Sequence, residues 1–442
     1  MKTSEKVQAL LYSHVPAYRI AKDTGISVST ILGLRSGDRQ LLSITLGTAE
    51  KLANYWEKIA IIWEEKFMKN KLSVLIASLS VVAGMGLTTA SASTYTQKGS
   101  GLSNYWAAKF HTVKNANNYV ARPSYVASFN YAATHTFETS ANHYVSKAGN
   151  TKASLNTAFY LPVTLNQSGD FGNPQSVAIT PNGNGAYVAY VTNEASSIGW
   201  VTYYNLAKLR NVYGASTSNM ALIRQAAYAH SKGIKNNGQY LAVLKSMKVG
   251  PEFNTGHIQS LALNPKNGQL WFTKTTGRAG AYGTAEQVST KSLKPINKIN
   301  FRLVTPRGIK VTVGNNLTFD KQGKAYFSSY VGGSRAMKIY QGTIAPKKVH
   351  FRLLYQGLRQ RPGEKNQSIG YNAANNRLYF ISDDSISSVS VSKLVSGKLK
   401  PGNVHSSIFS SKREFEGLAF SKNGQGYLLT NRGDELLSTN GL

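Results

Sequence analysis

The chain contains no cysteine in its 442 residues. Disulfide frameworks and thiolate metal sites are therefore excluded, and any fold must be held by packing and backbone hydrogen bonds. Acids are scarce as well, with 20 Asp and Glu against 51 Lys and Arg, a formal net charge of +31. A hydrolytic site built on calcium needs several converging carboxylates, and the few present, among them Glu194, Asp320, Glu414 and the strand-end pair Asp383-Asp384, are scattered. We read Asp383-Asp384 as a solvated turn. No H-E-x-x-H helix and no G-x-S-x-G elbow occurs, and no two of His111, His135, His143, His230, His257, His350 and His405 stand four residues apart. No catalytic residue, metal ligand or cofactor is identified, so a non-enzymatic role is the expectation. Long apolar runs are missing but for one, Leu72 to Leu87, somewhat short of the roughly 20 residues of a membrane span.

That run has a specific context. Met68-Lys69-Asn70-Lys71 is a basic n-region, Leu72 to Leu87 an uncharged h-region, and Ala90-Ser91-Ala92 an A-x-A cleavage signal before Ser93. The segment 68–92 predicts export of residues 93–442, with cleavage between Ala92 and Ser93. An uncleaved 72–87 would instead anchor the chain in a membrane. Export would carry out 40 basic and 13 acidic residues, leaving 1–92 with only 11 and 7.

Residues 1–67 read differently. Apolar residues recur at three- and four-residue spacing over Ser4 to Tyr12, Ala17 to Asp23, Val28 to Arg35 and Leu46 to Trp56, predicting four short helices. Gly25 is placed to stop the second and Ser27 to cap the third. The stretch Tyr18 to Ile31, with Thr48-Ala49-Glu50-Lys51-Leu52-Ala53 after it, resembles the helix-turn-helix of the Cro/CI-like phage repressors. The resemblance covers about 55 residues. It implies that Ser27, Ser29 and Thr30 would face base edges while Lys22, Arg35 and Arg39 would meet phosphates. On the residues alone, Ser27 is only a cap and the arginines a solvated face. DNA is a partner only if this segment is made. Trp63-Glu64-Glu65 before Met68 can be encoded TGGGAGGA, which has the form of a bacterial ribosome-binding site. Translation is therefore expected to start at Met68, with 1–67 an upstream reading frame or a gene fusion.

Residues 155–442 repeat. Gln175-Ser176-Val177-Ala178-Ile179, Gln259-Ser260-Leu261-Ala262-Leu263, Asn315-Asn316-Leu317-Thr318-Phe319, Gln367-Ser368-Ile369-Gly370-Tyr371 and Glu416-Gly417-Leu418-Ala419-Phe420 each lead through a turn to a second strand. The copies are separated by 84, 56, 52 and 49 residues, near the size of a four-stranded propeller blade. The long first interval holds an apolar helical pattern over Asn219 to Ser231, read as an insertion. After Glu435-Leu436-Leu437-Ser438 too little chain remains for a fourth strand, so Asn156 to Leu165 is expected to complete the last blade and close the ring. The fold expected is all-β: a β-propeller of five four-stranded blades with a helical insertion, beside the small all-α segment. Six blades follow if Tyr125 to Lys147 forms another, and 93–154 otherwise reads as irregular. The repeats, with Phe415-Glu416-Gly417-Leu418-Ala419-Phe420, resemble secreted propellers of the NHL and phytase-like group and, in general character, extracellular proteins of lactic acid bacteria.

In a propeller the starts of the inner strands ring one mouth of the channel. Gln175, Gln259, Asn315, Gln367 and Glu416, with His257 and Arg432 near them, are thus a candidate ring for a sugar or peptide. The alternative is that they hydrogen-bond between blades. The +27 surplus of the exported part points to anionic wall polymers or surface glycans as partners of a secreted, wall-associated monomer. No LPxTG-like sorting signal precedes Leu442, so charge is the expected means of retention. Two other readings stay open: a calcium-dependent lactonase-like or phytase-like hydrolase, and a membrane-anchored DNA-binding regulator with an outer sensor domain.

Overall fold

A computed structural model describes residues 3–11, 15, 17–36 and 43–59, and 93–442 except 100–101, 103–109, 116–117, 126–139, 163–171, 193–196, 214–220, 232, 235–237, 277–281, 314 and 332. The signal segment 68–92 lies outside the described residues. The chain divides into two units, Met1–Thr88 and Thr89–Leu442. Among the described residues no helix is long and apolar enough to cross a membrane.

The first unit is helical over Thr3–Leu11, Ala17–Thr24, Val28–Ser36 and 46–59. The three- and four-residue spacing buries Val7, Leu10, Ile20, Ile31 and Leu52 in one small core. Gly25 ends the second helix with φ 71°, a conformation only glycine adopts without cost, and its N–H closes on Ala21 O at 2.9 Å. Ser27 caps the third, its Oγ accepting from Thr30 N at 3.2 Å.

The second unit is a five-bladed β-propeller. Blade 1 comprises Asn173–Ile179, Gly185–Val191, Ile198–Asn205 and an outer edge of Met247–Val249 and Phe253–Asn254. Blade 2 comprises Ala262–Leu263, Leu270–Thr276, Tyr282–Val288 and Pro295–Val304. In blade 3, Thr318–Phe319, Ala325–Tyr330 and Met337–Ala345 lead to Lys348–Leu353 and Gln356–Leu358. Blade 4 runs Ile369–Asn372, Arg377–Ser382, Ser385–Ser390 and Val404–Ile408. Blade 5 has three strands of its own, Glu414–Phe420, Gly426–Asn431 and Glu435–Asn440, and takes its fourth from Ser154–Tyr160, which pairs antiparallel with Glu435–Asn440. That closure is the one expected from the shortage of chain after Glu435. Three helices, Leu206–Tyr213, Leu222–Ser231 and Gly238–Leu244, are inserted between the third and outer strands of blade 1. The insertion is longer than the periodicity at 219–231 suggested.

The expected alternation becomes packing between blades. Trp271, Phe301, Phe327, Tyr340 and Phe351 are fully buried in one cluster, with Phe327 and Tyr340 stacked at 4.5 Å between centroids. Such pairs add about 1 kcal/mol beyond their area. In blades 1, 4 and 5 the small residue second in the repeat serves the seams. Ser176 Oγ in blade 1 donates to Ile258 O and accepts from Leu261 N, both on the chain of blade 2. Ser368 Oγ accepts from Leu418 N across the seam of blades 4 and 5. At the closing seam the residue is Gly417, where a Cβ would stand 2.9 Å from Val177 N. In blades 2 and 3 the inner strands start late, and Ser260 and Asn316 substitute side-chain bonds for the missing ladder, taking Thr273 N and Ser328 N at 2.8 and 2.7 Å.

The expectation of an irregular 93–154 needs correction. Ser93–Lys98 lies parallel to the outer strand of blade 2, His111–Val113 parallel to Gln356–Leu358 of blade 3, His143–Val145 antiparallel to Ser154–Tyr160 of blade 5, and Ala148–Gly149 against Val404–Ile408 of blade 4. The segment is a belt that covers four outer edges which would otherwise be open to pairing. It supplies no sixth blade: the described part of 125–147 adds one strand to blade 5, and 126–139 lies outside the described residues.

Candidate functional site

Antiparallel connectivity decides which residues share a face. Inner strands begin at one mouth of the channel, and the links between second and third strands return to that mouth, so Asp383-Asp384 and Arg432 stand with the ring.

Four of the five ring positions are joined by the side chains around them. Gln259 of blade 2 donates to Gln367 Oε1 of blade 4 at 2.7 Å, a contact between non-adjacent blades that places both at the axis. Gln367 in turn donates to Asp383 Oδ1 at 3.2 Å. Asp383 also accepts from Phe415 N at 2.9 Å and from the Tyr125 hydroxyl. Gln175 donates to Asn173 Oδ1 at 2.8 Å, which is shared with Asn431 at 2.8 Å. Glu416 is buried to 1% exposure against Gln259 and Asn431. Asn315 is half-buried at the matching place in blade 3, and among the described residues no contact links it to the others. His257 is half-buried two residues before Gln259. Arg432, with φ 57°, pairs with Glu414 at 3.1 Å and covers the Tyr125 ring at 4.2 Å. Between His257 and Gln259, Ile258 holds φ 38° while fully buried, a strained conformation for a β-branched residue.

Electrostatically this mouth is unlike the rest of the unit. Burial, then Glu414 and Asp383 nearby, push the Glu416 carboxyl well above the usual carboxylate range. Burial likewise raises Asp383, against the lowering effect of Tyr125 and Gln367. Glu416 Oε2 and Gln175 Oε1 are buried with no hydrogen-bond partner among the described residues. Asp383 and Asp384 are not a solvated turn as the sequence suggested. Asp384 is 6% exposed and accepts from Ser411 N and Oγ, clamping the loop into blade 5. Among the described residues no group of three His, Asp or Glu side chains is placed to hold a metal ion.

The opposite face has the contrary charge. It is built from the turns between first and second strands and the links between third and fourth. Lys266, Lys321, Lys324 and Lys422 on the former, and Lys291, Lys294, Lys347, Lys348, Lys398 and Lys400 on the latter, are all exposed. The single acid in these described connections is Asp320, and it is buried: its Oδ1 takes the Gln322 and Lys324 N–H groups and its Oδ2 the Tyr326 hydroxyl, all at 2.9 Å. The sequence held this signal, since acids are absent from the turns of four repeats. Only the strand order shows that those turns share a face.

In the N-terminal unit Lys22, Ser27 and Ser29 are exposed and Thr30 is half-buried. Ser27 Oγ is engaged with Thr30 and Ser29. The Arg35 side chain and Arg39 lie outside the described residues. Compared with known proteins, the chain matches no family model and no curated relative. The fold defines its class, a five-bladed β-propeller.

Proposed function

We propose that residues 93–442 form a secreted, non-enzymatic binding propeller whose lysine-bearing face holds anionic polymers of a cell wall or surface glycans. The observation that carries this reading is the segregation of charge. Of the 13 acids beyond position 92, Glu286, Asp320, Asp383, Asp384, Glu416, Asp434 and Glu435 are buried, whereas among the described residues there only Arg224 and Lys274 are buried cations. The surface is therefore more cationic than the formal charge implies, and one face exposes lysines without an acid among its described connections. Such a field attracts a flexible polyanion over its whole length without needing a shaped pocket.

Replacing Lys291, Lys294, Lys347, Lys348, Lys398 and Lys400 with Glu is the direct test. Binding of the full chain to isolated walls or to poly(glycerol phosphate) should fall by more than tenfold, and the same number of exposed cations reversed elsewhere should matter less. Equal loss from both sets would refute a face-specific role. Calcium-dependent lactonase or phosphatase activity, abolished by Glu416→Gln or Asp383→Asn, would favour the hydrolase reading instead. The burial of both carboxylates speaks against it.

A further inference from the structure

The lysine face has an opening at its centre. From the middle of the channel to the turns, the inner strands enclose a cavity of about 120 Å³. Its walls include Phe319, Tyr371 and Phe420, and Lys321 and Lys422 stand at its rim. The volume is close to that of dry apolar cavities that accept a benzene ring, roughly 150 Å³. Both rim lysines are exposed, and among the described residues no carboxylate pairs with either. The nearest acid, Asp320, has both oxygens occupied by its own turn and Tyr326.

The rim is fixed in advance. Lys422 N donates to Pro181 O at 2.8 Å, tying the turn of blade 5 to that of blade 1. A Cβ on Gly323 would stand 3.0 Å from Asn264 Oδ1, and one on Gly424 2.9 Å from the Ala374 Cβ, so the neighbouring turns abut. A site closed on itself in this way loses little freedom when it takes a ligand.

We infer that this end of the channel binds a small aryl carboxylate, its ring among the aromatic side chains and its charge between Lys321 and Lys422. Size sets the ring, because the cavity has no room for a second. Charge sets the carboxylate, because two unpaired ammonium groups flank the entrance. The site does not rest on polyanion binding, since a flexible polymer held by the whole lysine face needs no cavity.

Titration of the full chain with 4-fluorophenylacetate, followed by fluorine NMR, tests this directly. Saturable one-to-one binding with a dissociation constant of about 1 mM or below is expected for a ligand of this size, with the uncharged 2-(4-fluorophenyl)ethanol bound at least fivefold more weakly. Lys321→Met and Lys422→Met should each weaken the carboxylate about fivefold and leave the alcohol unchanged. Ala419→Leu, or Ala373→Leu should the first not fold, puts its added atoms into the cavity and should abolish both. Absence of saturation, or binding that survives the filled cavity, overturns the site. Equal affinity for acid and alcohol overturns the role of the lysines. The six-lysine reversal used against polyanion binding leaves Lys321 and Lys422 intact, so the two readings fail separately.

Discussion

Truncating Phe159 should open the ring at its seam. Phe159 lies on Ser154–Tyr160, the strand that closes blade 5, opposite Leu436 in register, and is 4% exposed. Its cluster includes Leu429 and Leu436 of blade 5 and Val177 and Ile179 of blade 1, so one side chain supports both the sheet and the seam. Removing a buried phenyl group loses about 3 kcal/mol of transfer free energy, and the hole between two sheets that cannot collapse adds a cavity penalty. The expected cost of Phe159→Ala is about 3–5 kcal/mol. Urea unfolding followed by tryptophan fluorescence is a suitable assay, because Trp200 in blade 1 and Trp271 in blade 2 are both fully buried. The midpoint should fall with an unchanged slope, and near-ultraviolet circular dichroism should report the same transition. A loss below about 1 kcal/mol, or two signals that separate, would refute closure through this strand.

Other consequences can be checked in the same way. The raised pKa of Glu416 means that its folded-state stabilisation is complete below the unfolded value near 4.5 and is lost as pH rises through the folded value. Glu416→Gln should therefore match the parent at pH 4 and exceed it in stability at pH 8, as read from denaturation at the two pH values; a parent more stable at both would contradict the assignment. Glu286 forms an ion pair with buried Lys274 at 2.9 Å and a second with half-exposed Lys298 at 3.6 Å. Glu286→Ala should cost about 3–5 kcal/mol by leaving Lys274 unpaired, while Lys298→Ala should cost no more than about 1 kcal/mol. Mass spectrometry of protein from culture medium should find an N-terminus at Ser93 and no peptides from 1–67; abundant full-length chain would remove the export reading.

The inner strands were legible because they carry the repeat. Each begins with an amide or acid, followed in four of the five by a small residue and in blade 3 by Asn316, and then an apolar alternation; the second strands at 186, 269, 324, 377 and 425 fall within a residue or so of their places. Closure was legible from arithmetic, since the fifth repeat lacked a strand. The belt was not. His111–Val113, His143–Val145 and Ala148–Gly149 are two or three residues long with one side exposed, so they have neither periodicity nor apolar content to mark them. The channel ring was readable as a set of equivalent positions, but its hydrogen bonds depend on Asp383 and Tyr125, which come from a hairpin tip and from the belt. Asp383-Asp384 was misread for the same reason. A pair of acids at a turn is usually hydrated, and here the loops of blades 4 and 5 fold over it. The basic face was hidden in another way: every lysine was visible, yet their common direction depends on how the strands pair.

On the proposed function, charge on the lysine face holds an anionic polymer. The most direct measurement is the affinity of the full chain for poly(glycerol phosphate) as salt is raised. A steep fall is expected, with release by about 1 M, where the screening length is roughly 3 Å. Affinity that persists unchanged at that concentration would contradict it.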